Sequence, residues 1–111
     1  MVDAISNQIE RYMDLLSASQ KLVASNLANI DTPGYHTKDI DFHSEMVNAM
    51  GGGAPHIQEV EGLQVRNDGN NVSLDRETRM LAENALKFRV AAALELSHIK
   101  MKRMAIQESA Q

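Results

Sequence analysis

Apolar residues recur every three or four positions over two long stretches, one near each end of the chain. In residues 5–30 the apolar stripe consists of Ile5, Ile9, Tyr12, Met13, Leu16, Val23, Leu27 and Ile30. In residues 75–107 it consists of Leu81, Ala85, Phe88, Ala92, Leu96, Ile99 and Ile106, widened by Leu86, Val90, Ala93, Met101 and Met104. A repeat of this period is typical of amphipathic helices. At 1.5 Å per residue, the two helices would be about 40 and 50 Å long.

A sharp turn is predicted directly after the first helix. Thr32 precedes Pro33 and is therefore disfavoured from helical backbone angles, so the helix should end at about Ile30 or Asp31. Pro33 and Gly34 suit the two central positions of a type II turn, because the second position requires a positive φ.

The middle of the chain is short and polar. A short helix is predicted within residues 39–50, lined by Phe42, Met46, Val47 and Met50, and Gly51-Gly52-Gly53 reads as a flexible linker. Residues 63–66 and 72–74 alternate in polarity around the turn-forming residues 67–71, which predicts a small β-hairpin. Asp75 is the predicted cap of the last helix, with Glu77 in its first turn.

These elements predict a mainly α fold. The long N- and C-terminal helices pair as a coiled-coil-like layer, and the short middle segment contains a turn and a small β-hairpin. We divide the chain into an N-terminal assembly helix (1–31), a middle segment (32–74) and a C-terminal assembly helix (75–111). The second stripe on the last helix favours contact with partners. Periodicity alone leaves open whether another copy or the same molecule covers the Met-rich faces.

Length, charge and residue types exclude several classes of protein. A domain of 111 residues buries about two-thirds of its unfolded surface, which argues against a large catalytic cleft. The chain has no cysteine, so disulfides and cysteine-based zinc sites are excluded. A net charge of −4 argues against general nucleic-acid binding.

No run approaches the ~20 apolar residues of a membrane span. The first residues lack the pattern of a cleaved signal peptide, so we expect the cytoplasm or an export route that keeps the N-terminus.

The residue types that carry chemistry do not form recognisable sites. None of the four histidines has a histidine or carboxylate at the spacing of a helical metal site that is not better explained as surface charge. The serines of the first helix lack the G-x-S-x-G turn of a catalytic nucleophile, and the acidic pairs at helix starts are explained by the helix dipole. We therefore expect no catalysis, metal or cofactor. The remaining candidates are a structural assembly protein, a cytoplasmic helical adaptor or chaperone of a secretion system, and, third, a small enzyme.

Residues 26–35 (Asn-Leu-Ala-Asn-Ile-Asp-Thr-Pro-Gly-Tyr) resemble the signature of bacterial flagellar axial proteins, which are rod, hook and hook-associated subunits. Three further blocks narrow the resemblance to the proximal rod proteins of the FlgB type. They are residues 39–42 (Asp-Ile-Asp-Phe), 69–77 (Gly-Asn-Asn-Val-Ser-Leu-Asp-Arg-Glu) and 81–88 (Leu-Ala-Glu-Asn-Ala-Leu-Lys-Phe). The blocks occur in the family's order.

The resemblance implies a non-enzymatic subunit of the basal-body rod, the periplasmic drive shaft that transmits torque and encloses the export channel. It implies self-association within the rod through the terminal helices, other rod subunits and the rod-base adaptor protein as partners, and export by the flagellar type III apparatus without signal cleavage. The sequence departs from the family in the short segment between Met50 and Leu63, where relatives often carry a longer insert. Ser73 also replaces a common acidic residue.

The resemblance also assigns roles to residues. The implied assembly motif is Asn26, Leu27, Asn29, Asp31, Thr32, Pro33, Gly34 and Tyr35, and the implied helix-packing interface is Ile9, Met13, Leu16, Val23, Ile30, Leu81, Phe88, Ala92, Leu96, Ile99 and Ile106. Asn26 and Asn29, one turn apart, are expected to fix the helix register by hydrogen bonds across the helices. The alternative is a frayed helix end satisfied by water. In the free subunit, the terminal helices should be mobile and should order on assembly.

Overall fold

The computed structural model describes residues 4–48 and 54–109, which form an elongated molecule of 70 × 26 × 18 Å. Its elements in chain order are α1 (Ala4–Ala28), β1 (Lys38–Ile40), α2 (Phe42–Val47), β2 (Ile57–Glu59) and α3 (Leu74–Ser109). The mainly α fold and the two long helices are as predicted. Met50 and the predicted glycine linker lie outside the described residues.

Helices α1 and α3 pack against each other in antiparallel directions. Ser6 donates to Glu95 over 2.8 Å at one end, and Asn26 donates to Glu77 at the other. The predicted coiled-coil-like pairing is therefore confirmed. Since α3 is 36 residues long and α1 only 25, the end of α3 runs beyond the first described residue of α1. Every residue from 99 to 109 is exposed, and we call this segment the α3 overhang.

The apolar core is supplied mainly by α1. Its buried apolar residues include the predicted Ile9, Leu16 and Val23, together with Leu15. By contrast, the only apolar residue that α3 buries is Ala91. The other buried residues of α3 are polar, namely Glu77 and Asn84. The face that α3 turns to α1 is thus narrow and polar, and the predicted apolar stripe of α3 lies elsewhere on the helix.

The predicted turn after α1 is present. Gly34 has a φ of +74°, and the Tyr35 N–H donates to the Thr32 carbonyl over 3.2 Å, which matches a type II turn with Pro33 at its first central position. The chain leaves α1 here and enters β1.

The middle segment contains the expected two-stranded antiparallel sheet, but its position was predicted wrongly. The strands are β1 and β2, with Ile40 opposite Ile57, and residues 63–66 and 72–74 form no strand. Residues 67–71 do form a turn. Asn70 prevents a ladder around this turn, because its carbonyl accepts the Arg66 N–H and its side chain accepts the Val72 N–H, over 2.9 and 2.8 Å.

Side-chain caps fix the starts of α2 and α3. Asp41 accepts the Ser44 N–H over 3.2 Å at the start of α2, and Phe42 stacks edge-on against Tyr12 of α1, with ring centroids 5.2 Å apart. At the start of α3 the prediction of Asp75 as the cap was wrong. The Ser73 hydroxyl accepts the Arg76 N–H over 3.2 Å, so α3 begins two residues earlier than that prediction requires.

Candidate functional site

Asn26 is the centre of a polar network at the end of the helix pair. Its side chain is 1% exposed, and its amide group donates to the Lys38 carbonyl over 2.9 Å and to the Glu77 carboxylate. The amide oxygen accepts the Lys38 N–H over 3.1 Å and the Tyr35 hydroxyl over 3.0 Å. Both donors and both acceptors are therefore used, and one residue connects α1, the turn, β1 and α3.

Glu77 is a fully buried carboxylate in the first turn of α3. Its charge is compensated by the Arg76 guanidinium, whose second nitrogen lies 2.8 Å from Asp39 in β1. A buried carboxylate is tolerated only when it is paired and hydrogen-bonded in this way. Asn26, Glu77, Arg76 and Asp39 thus fasten the start of α3 to the end of α1 and to β1.

The loop of residues 66–71 holds the turn that follows α1. The Asn70 side chain, which is fully buried, donates to the carbonyls of Asn29 and Thr32 over 2.9 and 2.8 Å. Gly34 donates its N–H to the Asp68 carbonyl over 2.9 Å. The Arg66 guanidinium binds the Ile30 carbonyl. The carbonyls at the end of α1 are therefore capped by side chains from a distant loop.

Asn71 completes the network. Its side-chain oxygen accepts the Thr37 N–H over 2.6 Å and the Thr37 hydroxyl over 2.9 Å, and its N–H donates to the Tyr35 carbonyl. Residues 26–37 and 66–77, distant in the sequence, therefore form one structural unit. We call Asn26, Tyr35, Thr37, Asn70, Asn71 and Glu77 the motif network. Sequence reasoning missed Thr37, Asn70, Asn71 and Glu77, because asparagines in a turn and an acid in a first helical turn normally have local roles.

The predicted assembly motif has an inward and an outward part. Asn26 and Tyr35 belong to the motif network, and Leu27 and Ile30 are half-buried. The prediction that the Asn29 side chain bonds across the helices was wrong. This side chain donates to the Ser25 carbonyl and accepts from the Thr32 hydroxyl. The outward part consists of Asp31, Thr32, Pro33 and Gly34, all exposed.

Polar pairs also set the register along the helix pair. Asn84 donates to the Ser19 hydroxyl over 3.0 Å in a buried layer, seven residues from the layer of Asn26 and Glu77 on each helix. The bond between Ser6 and Glu95 adds a partly buried layer near the other end. Polar residues at core positions of paired helices specify register, since a shifted alignment leaves them without partners. The register role predicted for Asn26 is thus shared with Ser19 and Asn84.

Apolar side chains outside this contact are uncovered on two sides of the helix pair. One side carries a groove of about 380 Å³, which we call the Val90 groove, lined by Gln8, Ile9, Tyr12, Leu86, Lys87, Val90, Ala91 and Leu94. The other carries a groove of about 300 Å³, which we call the Phe88 groove, lined by Glu10, Met13, Asp14, Ser17 and Phe88. Exposed apolar surfaces of this kind are typical of interaction sites.

The predicted interface residues of α3 are not the core of this molecule. Five of them are at least 36% exposed, namely Leu81, Phe88, Leu96, Ile99 and Ile106. Ala92 is half-buried, as is Met13 of α1. In the described part of the chain, most of the predicted apolar stripe of α3 is therefore exposed.

Titratable side chains also connect α2 to its neighbours. Glu45 accepts the His56 N–H over 2.8 Å, and this bond is the main reason that its pKa lies below the ordinary value of 4.5. Burial opposes the shift, while the side chains of His56 and Arg11 support it.

No group of three histidine or acidic side chains within residues 4–48 and 54–109 is placed to hold a metal ion. Among the described helices, none has the length and apolar character of a membrane span.

Comparison with known proteins gives a consistent family. The model of a family described as flagella basal body rod protein matches residues 13–36. The chain is 30% identical to the flagellar basal body rod protein FlgB of Salmonella typhimurium, over 89% of this chain and 90% of the relative. It is 31% identical to FlgB of Escherichia coli over the same shares, and 26% identical to FlgB of Borreliella burgdorferi over 81% and 86%. The Salmonella alignment spans 124 positions, more than the 111 residues of this chain, so the relative carries additional residues.

Proposed function

The chain belongs to the FlgB family of flagellar basal body rod proteins, and on that premise we propose that its terminal helices assemble it into the rod. It is a structural subunit of the basal-body rod, and the family to which it belongs is structural. Its partners are therefore other components of the flagellum. The main support for the proposal is the exposed apolar stripe of α3. This stripe lies on a helix whose alignment with α1 is fixed.

The register of the helix pair supports this role. Because Asn26, Glu77, Ser19 and Asn84 fix how α1 and α3 align, the exposed side chains of α3 keep a constant geometry relative to α1. A subunit of a rod must present the same surface in every copy. The packing residues Ile9, Leu16 and Val23 hold the pair together, while Leu81, Phe88, Leu96, Ile99 and Ile106 are available to neighbours.

Some residues of the assembly motif stabilise the fold, and others are available for contact with neighbouring subunits. Its inward residues hold the end of α1 to β1 and to the loop of residues 66–71. Its outward residues, Asp31, Thr32 and Pro33, then form an exposed turn at a fixed place on the molecule. We assign contact with neighbouring subunits to this turn. We also divide the chain into an N-terminal assembly helix (1–31), a middle segment (32–74) and a C-terminal assembly helix (75–111).

The finer role follows from the same premise. We place the subunit in the proximal, periplasmic part of the rod, where it transmits torque and encloses the export channel. There it contacts the rod-base adaptor protein and other rod subunits, after export by the flagellar type III apparatus with its N-terminus uncleaved. The supporting features are the sequence blocks shared with the FlgB type and an apolar helix face long enough for several neighbours.

Fractionation tests the proposed function. We expect an epitope-tagged chain, expressed at its natural level, to co-purify with detergent-extracted basal bodies, and its N-terminal sequence there to begin at the translated start. An adaptor or chaperone would stay in the soluble fraction. Recovery of the chain only in that fraction, from cells with intact basal bodies, would overturn the proposal.

A further inference from the structure

The Val90 and Phe88 grooves lie at the same level of the helix pair. Lys87, Phe88 and Val90 fall within about one turn of α3 but point to different sides, so that Lys87 and Val90 line one groove and Phe88 the other. A molecule with two different apolar grooves at the same level, on different sides, is suited to lateral contact with neighbouring molecules. Leu86, Val90 and Leu94 are each more than half exposed, and Phe88 is 40% exposed.

The charges at the two grooves are opposite. Glu10 and Asp14 flank the Phe88 groove, and Lys87 flanks the Val90 groove. All three side chains are exposed, and within the described part of the chain none of them forms an ion pair. If one side faced the other, the carboxylates beside the partly exposed Phe88 ring would therefore meet the ammonium group beside the Val90 groove.

We propose that the two grooves are complementary halves of one contact between copies of this chain, in which Phe88 of one copy enters the Val90 groove of the next. The proposal rests on the proposed function, since it names a second copy as a lateral neighbour in the rod. Glu10 and Asp14 of the first copy then lie opposite Lys87 of the second. Because two different surfaces meet, the contact is heterologous, and its repetition generates a ring or a helical array of copies.

The absence of cysteine in the sequence makes a direct test possible. Two single variants, Met13→Cys and Val90→Cys, carrying tags of different size, are expressed together so that basal bodies contain both. After mild oxidation, we expect crosslinked dimers that contain one copy of each variant, and no dimers when either variant is expressed alone. Val65→Cys, exposed in the loop far from both grooves, is the matched control in place of Val90→Cys and should yield no dimer.

Two results would overturn the contact. Dimers of Val90→Cys alone would mean that like surfaces meet, and basal bodies that contain both variants without any crosslink between them would mean that another protein covers the grooves. In either case the proposed function stands, because the chain is present in basal bodies. Absence of the unsubstituted chain from basal bodies would instead overturn the proposed function.

Charge exchange gives a second test that avoids changes in the apolar side chains. Lys87→Glu in the Val90→Cys background should lower the yield of the crosslink at least about tenfold, because three acidic groups would then face one another. Glu10→Lys with Asp14→Lys in the Met13→Cys partner should restore it. An unchanged yield in the Lys87→Glu variant would contradict the proposed orientation of the two copies.

Discussion

Asn26 of α1 donates a hydrogen bond to Glu77 of α3 at a point where both side chains are at most 1% exposed. Neither partner is free to move, since Asn26 also binds both backbone groups of Lys38 and Glu77 also binds Arg76. The pair therefore fixes the position of α3 along α1. It also joins the most recognisable sequence block of the chain to a residue whose role the sequence did not reveal.

Removing this amide should destabilise the chain strongly. Asn26→Ala removes one hydrogen bond from the buried Glu77 carboxylate and the side-chain partner of the Lys38 N–H, and each such loss costs about 1–3 kcal/mol. We expect a decrease of roughly 3 kcal/mol in the free energy of unfolding, measured by urea denaturation followed by circular dichroism.

Asn29→Ala is the matched control. Asn29 is half-buried and its side chain bonds only within its own turn, so loss of that side chain should cost less than about 1 kcal/mol. Equal losses for the two asparagines would contradict the special role of Asn26.

Charged substitutions on the exposed stripe of α3 should separate assembly from folding. Leu96 is 54% and Ile99 36% exposed, so Leu96→Asp or Ile99→Asp should change the stability of the isolated chain by less than about 1 kcal/mol. In the rod, the new carboxylate would be buried without a partner, and incorporation into basal bodies and swimming motility should be lost.

Leu16→Asp provides the contrast, because Leu16 is 2% exposed and the variant should fail to fold. Normal motility of a strain with Leu96→Asp would show that this position is not at a subunit contact.

Two glycines of the motif region should differ in their response to substitution. Gly34 has a φ of +74° but open space around a Cβ atom, so Gly34→Ala should cost about 1–2 kcal/mol from backbone strain alone. Gly69 has a φ of +86°, and a Cβ there would lie 3.3 Å from the Gly34 Cα, so Gly69→Ala should be the more destabilising. Thermal unfolding of both variants measures the order, and equal values would argue against the close approach.

Gly34→Val extends this test to assembly. Its β-branched side chain opposes the positive φ, so we expect the subunit to be exported but not incorporated. Secreted variant that assembles normally would show that the turn tolerates other backbone angles.

The long helices could be predicted from the sequence because their signal is local and repeated over many turns. The predicted ends, at residues 30 or 31 and at residue 107, agree with Ala28 and Ser109 to within three residues. The side of α3 that contacts α1 could not be predicted in the same way. Apolar periodicity favours the most apolar face of α3. The structure instead turns Glu77, Asn84 and Ala91 to α1, and the two polar residues bond there to Asn26 and Ser19, which are distant in the sequence.

The hairpin was misplaced for a similar reason. Strands β1 and β2 have three residues each, and β2 is exposed along its length, so neither strand carries a usable alternation of polarity. The asparagines at positions 70 and 71 looked like hairpin residues but serve as side-chain ligands for the backbone of the motif turn. In the candidate site, the sequence singled out residues 26–35 and could not indicate the loop of residues 66–71, which bonds to them.

Acid should weaken the contact of Glu45 with His56 and Arg11. Because the folded-state pKa of Glu45 lies below its unfolded value, this contribution to stability is present above pH 4.5 and is lost as the pH falls through the folded-state pKa. Glu45→Gln should therefore be less stable than the natural chain at neutral pH, and the difference should shrink with acidification. Urea midpoints measured across this range test the sign, and a difference that widens in acid would contradict it.

The free subunit should show uneven protection against hydrogen exchange. Every residue of the α3 overhang is exposed, whereas the helix end at Asn26 and Glu77 is surrounded by the motif network. We expect rapid exchange in residues 99–109 of the dilute chain and slow exchange near Glu77, with the overhang becoming protected in basal bodies. Strong protection of the overhang in the dilute monomer would contradict the expected ordering on assembly.

The described residues on both sides of segment 49–53 are anchored to the rest of the molecule. β1 pairs with β2, the Val60 N–H donates to the Thr37 carbonyl, and Glu45 holds His56. Lengthening a flexible loop adds only about 0.6 kcal/mol per doubling when its ends are already held. Because these flanks are held, a peptide tag or a small fluorescent domain inserted between Asn48 and Ala54 should leave the pairing of α1 and α3 undisturbed.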